Sequence, residues 1–138
     1  MKRRPVLYLD SENPASSIRE RLDLLGIERT PDLVYWGGWH DPAPHGPDSP
    51  SVIQFARDTR GLIVCDSVIA FLQGDEQSAT EVRRFMQGFR QLASIGASII
   101  CIHHSGKGEN AKAYRGSSVR AAAMQVVQSF GTKQPGVA

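Results

Sequence analysis

The chain has 138 residues, of which 41% are hydrophobic and 22% charged, with a formal net charge of +2. That length supports one domain with a buried core, and the near balance of charge excludes a partner chosen by bulk charge alone. No apolar stretch reaches membrane-spanning length, and Lys2-Arg3-Arg4 runs into too short an apolar segment for a signal peptide, so a cytoplasmic protein is expected.

Pro5 to Leu9 is predicted to form a strand, and it leads into an acid, Asp10. Asn13-Pro14 reads as the cap and first residue of a helix to about Leu25, with Ile18, Leu22 and Leu25 on one face and Gly26 as its stop. Leu33 to Trp36 is a short strand. Residues 37–49 are rich in Gly, Pro, His and Asp and read as a flexible loop. Trp39, His40 and His45 could touch a ligand there, although a surface loop is the plainer reading. Ser49-Pro50 repeats the cap-then-proline signature and opens a helix to about Thr59.

The stretch Gly61-Leu-Ile-Val-Cys-Asp-Ser67 then drives four apolar residues straight into Asp66. A continuous apolar run between turn signals is a strand buried on both faces, as in a parallel sheet. An acid at the end of such a strand stands where open α/β sheets bind ligands, and it has the form of a Walker B strand, whose Asp holds the magnesium of a nucleotide. The plainer alternative is a core strand whose Asp starts a turn.

An apolar patch, Val68 to Leu72, follows. Ser78-Ala79-Thr80-Glu81 is a capping box opening a helix with Val82, Phe85, Met86, Phe89, Leu92 and Ala93 at helical spacing, and this stripe is core packing. Gly96 ends it. Ala97 to Ile102 is a third buried strand, closing on His103-His104. Cys65 and Cys101 sit inside these apolar runs, which suits reduced core thiols better than a disulfide framework. Residues 105–116 form a mobile basic loop by composition, a last helix runs from Ser117 or Ser118 to about Met124, Val126 to Phe130 reads as one more strand, and 131–138 is a tail. Strands alternating with helices predict a parallel sheet with helices on both faces. In that arrangement Asp10, Asp66 and His103-His104 share the C-terminal edge of one sheet and form a site.

Asp10-Ser11-Glu12, Leu62-Ile63-Val64-Cys65-Asp66, His103-His104-Ser105-Gly106-Lys107-Gly108 and Tyr114-Arg115-Gly116-Ser117-Ser118 occur in an order that resembles the RecA-like P-loop ATPases. Within that group the chain is similar to the RepA-type hexameric helicases and AAA-type ATPases of plasmids and phages, over about Val6 to Val127. The resemblance implies a RecA-like three-layer α/β fold, mainly parallel. It implies ATP and Mg2+ as ligands, single-stranded DNA as a partner and a homo-oligomeric ring. By the same resemblance, Glu12 orients the attacking water, Asp66 holds magnesium through water with Ser67 beside it at the nucleotide, and His104 senses the γ-phosphate. Arg115 is the arginine finger reaching a neighbouring subunit, with Lys107 assisting at the nucleotide, and Lys107 and Lys112 meet DNA phosphate.

The pattern departs from those relatives in two places. The Gly-x-x-x-x-Gly-Lys-Ser/Thr loop belongs on a unit ahead of the strand ending at Asp10, and only four residues precede Pro5. Gly106-Lys107 does not replace it, since Cys101 stands at the first Gly position and Gly108 at the Ser/Thr position. Ala123-Met124-Gln125 stands where relatives carry an Asp. The expectation is a partial ATPase core, truncated at its N-terminal P-loop unit and inactive alone. The alternatives are a non-catalytic module that joins a ring of intact subunits and lends Arg115, and a metal-dependent hydrolase using Asp10, Glu12, Asp66 and His104. As simpler readings, Glu12 could be a first-turn helix acid and the basic cluster a solvated loop; the adjacent histidines could be a metal pair, but neighbouring strand residues point to opposite faces and cannot easily share one ion.

Overall fold

The computed structural model describes residues 3–43, 45–75 and 78–103. Four strands, β1 (Val6–Asp10), β2 (Leu33–Gly37), β3 (Leu62–Asp66) and β4 (Ser98–Cys101), form one sheet in the order β2-β1-β3-β4. All three pairings are parallel. Helices α1 (Ala15–Leu24), α2 (Pro50–Thr59) and α3 (Ala79–Ile95) connect them, with a 3-10 turn at Val68–Phe71 after β3. Each predicted strand and helix within the described residues is present, with ends shifted by up to two residues, but β4 is not the buried strand expected: its residues are exposed or half-buried, and Ile100 is 49% exposed. His104, the 105–116 loop, the last helix, the 126–130 strand and the 131–138 tail lie outside the described residues.

The order of the strands assigns the helices to faces. From β1 the chain steps to β2 on one side, then crosses back past β1 to β3 and onward to β4. Right-handed crossovers in opposite directions place their helices on opposite faces, so α1 covers one face while α2 and α3 share the other. The shared face is the core. Leu7, Leu9, Ile63 and Cys65 from the strands meet Val52 and Ala56 of α2 and Val82, Met86, Phe89 and Leu92 of α3. Every one is buried, and each large side chain contributes about 1.5–3 kcal/mol by leaving water.

Local signals explain the helix ends. Ser78 Oγ accepts the Glu81 N–H at 3.4 Å, as the capping box requires, and α3 stops on Gly96 at φ +104, a conformation that favours glycine. Helix α1 differs from expectation in two details. Asn13 does not cap it; Pro14 takes that position, because Asn13 is engaged by the Asp10 carboxylate instead. Burial also fades along the predicted stripe: Ile18 is buried, Leu22 is half-buried, and Leu25 is 72% exposed because the helix ends at Leu24 and the chain turns at Gly26. The two cysteines are free and are register partners on β3 and β4. Burial pushes the Cys101 thiol up to about 12 and raises that of Cys65 as well; Cys65 belongs to the core and Cys101 is half-buried against it.

Candidate functional site

Register sets the site. Tyr35, Tyr8 and Val64 are partners across β2, β1 and β3, and two residues on, Gly37, Asp10 and Asp66 form the next row of the same face. This is the α1 face, opposite the apolar core, because side chains two apart on a strand share a face. Each tyrosine reaches the acid one strand over and one row on. Tyr35 Oη donates to Asp10 Oδ2, and Tyr8 Oη donates to Asp66 Oδ2 at 2.6 Å. Such diagonal neighbours stand about 7–8 Å apart at the backbone, a span that long aromatic side chains cover.

Asp10 is completely buried and fully used. Besides the Tyr35 hydroxyl on Oδ2, Asn13 Nδ2 donates to the same oxygen at 2.8 Å. Oδ1 accepts the backbone N–H groups of Glu12 at 2.8 Å and Asn13 at 3.0 Å. Burial by itself would raise the pKa of this carboxyl. The hydrogen bonds, led by that of Tyr35, outweigh burial and hold it below the usual carboxylate value. Asp10 therefore folds the Ser11–Asn13 turn around itself and aims Glu12 outward, with no lone pair to spare for chemistry. For the two phenols burial raises the pKa first, and the carboxylate each one serves raises it further.

Asp66 is the opposite case. It is half-buried, and the Tyr8 hydroxyl is its hydrogen-bond donor among the described residues. The following residue, Ser67, is completely buried, and the peptide between them is cis. Ser67 Oγ donates to Glu12 Oε1 at 2.7 Å, tying the turn after β1 to the end of β3. Glu12 is otherwise exposed. The result is an exposed carboxylate (Glu12) held by a buried hydroxyl, next to a second carboxylate (Asp66) with coordination capacity left.

The turn after β2 closes over this edge. Gly38 N–H donates to the Asp10 carbonyl at 2.9 Å, and His40 N–H to the Gly37 carbonyl at 3.1 Å. Tyr8 stacks on Tyr35 with centroids 4.9 Å apart, and Tyr35 on Trp39 at 5.8 Å, both with 11° between planes. The indole lies over Gly37, where a Cβ would strike three ring atoms.

The two strand-end acids lie at the C-terminal edge of a parallel sheet, where open α/β sheets bind ligands, and a family model described as "AAA domain" matches residues 1–110. The chain belongs to the AAA domain family. No curated protein matches it. Membership makes the chain a P-loop ATPase-type module, from a family that in general uses nucleotide and Mg2+. Among the described residues no helix of this AAA domain is long and apolar enough to cross a membrane.

Of the residues singled out from sequence, the structure brings together Glu12, Asp66 and Ser67. His103 stands just past β4, after Ile102, which is tied to the Cys65 carbonyl at 2.9 Å and to the Val68 N–H at 2.8 Å. His104, Lys107, Lys112 and Arg115 lie outside the described residues. Sequence reasoning missed Tyr8, Tyr35 and the Asn13–Asp10 contact. A signal existed: Tyr8-x-Asp10 places two polar-tipped residues on one face of a strand whose other face is purely apolar.

Proposed function

We infer that this AAA domain is part of a RecA-like ATPase core related to replicative DNA helicases, coupling ATP hydrolysis to DNA in the intact parent. The observation that carries the reading is the Ser67–Glu12 hydrogen bond beside Asp66. It joins the two strand ends at which a hydrolytic carboxylate and a magnesium carboxylate are needed. Glu12 orients the attacking water and accepts its proton, and Ser67 fixes the carboxylate that does so. Asp66 fits a magnesium site: one oxygen is held by Tyr8, the other has no hydrogen bond among the described residues, and magnesium takes one or two carboxylates plus water and phosphate. The ion supplies positive charge to a bound triphosphate. His104 as sensor, Arg115 as finger, and Lys107 and Lys112 toward nucleotide and DNA phosphate complete the assignment, in a homo-oligomeric ring. Asp10 belongs to the scaffold, since four donors already fill its oxygens; this weighs against a metal-dependent hydrolase that would use it as a ligand.

These 138 residues contain no Gly-x-x-x-x-Gly-Lys-Ser/Thr segment. The expected outcome is no phosphate release from ATP by the chain alone. Turnover should appear when a strand, P-loop and helix are fused ahead of Pro5, and the fused protein should lose about 10²- to 10⁴-fold on Glu12→Gln. Turnover by the 138 residues alone, or a fused protein indifferent to Glu12→Gln, would overturn the reading.

A further inference from the structure

We propose that the ring column Tyr8–Tyr35–Trp39 is a stacking shelf for a nucleobase, with Trp39 as the ring the base meets. This rests on the nucleotide-linked reading above and adds the group that would recognise the base. Three observations carry it. The rings are parallel, 11° between successive planes, at the 4.9 and 5.8 Å separations of offset stacking. The inner rings cannot slide, because their hydroxyls are tied to Asp66 and Asp10. The outermost ring is still 40% exposed although it is held from below by Gly37, a seat that any larger residue would destroy. A seated, partly exposed indole in the turn after β2, with the His40 ring tilted against it at 5.5 Å, offers a π-face and little hydrogen-bond readout. That suits a base of any sequence, since every base has a π-face.

The base could belong to a nucleotide or to single-stranded DNA, and the test separates these sources. In a Trp36→Phe background Trp39 is the sole tryptophan. Its emission is followed while the 138-residue protein is titrated with oligothymidylate, with ATP and magnesium, or with tripolyphosphate, which has no base. Quenching by oligothymidylate, by ATP or by both supports the shelf and names the source. Quenching by tripolyphosphate as strong as by the base-bearing ligands overturns it, as does silence in all three titrations of a folded protein. Affinity is then compared by anisotropy, using labelled oligothymidylate or a fluorescent ATP analogue according to which ligand quenched. Trp39→Ala should weaken binding on the order of ten- to hundredfold while Trp39→Phe keeps most of it. Gly37→Ala, which leaves the indole in the chain but pushes it off its seat, should behave like Trp39→Ala. Equal affinities for Trp39→Ala and Trp39→Phe would overturn the proposal. The readout requires no turnover, so a fused protein that fails to release phosphate while Trp39 still quenches would sink the ATPase reading and leave the shelf standing.

Discussion

β1 and β3 deliver the same residue to the same row of one sheet edge, and their surroundings treat it in opposite ways. Asp10 is fully buried and accepts four hydrogen bonds, two from the backbone of the turn it organises. Asp66 is half-buried and, among the described residues, takes one, from Tyr8. Two strand-tip acids on one edge thus differ in how many donors surround them, and so in how much coordination capacity each has left. Here the enclosed acid builds the turn that presents Glu12, and the more open acid precedes the serine that holds Glu12 in place.

The same substitution at both positions breaks this comparison most sharply. In Asp10→Asn the amide group puts N–H donors where Asn13 Nδ2 and the Tyr35 hydroxyl found an acceptor. A buried donor left unsatisfied costs about 1–3 kcal/mol, so a loss near 2 kcal/mol is expected in urea unfolding at neutral pH. Asp66→Asn keeps an oxygen for Tyr8 in a partly solvated place and should change stability by less than about 0.5 kcal/mol. Equal losses at the two sites would show that Asp66 is as enclosed as Asp10.

The tyrosines sharpen the contrast with a smaller effect. Tyr35→Phe removes a donor from a buried charged group and should cost about 1.5 kcal/mol. Tyr8→Phe removes the donor of a carboxylate that water can reach, and should cost about half of that or less. The reverse order, read from the same urea midpoints, would mean that the enclosed acid is the one beside Ser67.

Much of the fold was legible because its signals are local. Leu62-Ile63-Val64-Cys65 announces a doubly buried strand, Ser78 with Glu81 announces a helix start, and Gly96 its end, each within a few residues. The strand-tip positions of Asp10 and Asp66 followed from the same runs. Their difference was not legible, because it depends on partners brought in by register. Tyr35 lies 25 residues from Asp10, and Tyr8 lies 58 from Asp66. No window of sequence states that β2 and β3 flank β1. The seat of Trp39 on Gly37 was hidden for a related reason: composition marks 37–49 as a loop, while the stacking depends on Tyr35 and Tyr8 being row partners. Leu25 was misjudged because helical spacing says which residues share a face, but not how far along the helix that face stays covered.

The smallest expected effect concerns acid. The Asp10 carboxyl is held below its usual value in the folded state, against about 3.9 in an unfolded chain. A depressed folded pKa adds stability that is fully present above the unfolded value and is lost as pH falls through the folded one. Other carboxylates contribute to any acid limb, so the informative quantity is the stability difference between the parent chain and Asp10→Asn, which cannot titrate there. That difference should be constant from neutral pH down to about 5 and should shrink below about 4 as the Asp10 proton is taken up. A difference that instead widens in acid would mean that burial dominates at Asp10 and raises its pKa, and the claim that four hydrogen bonds outweigh burial would fall with it.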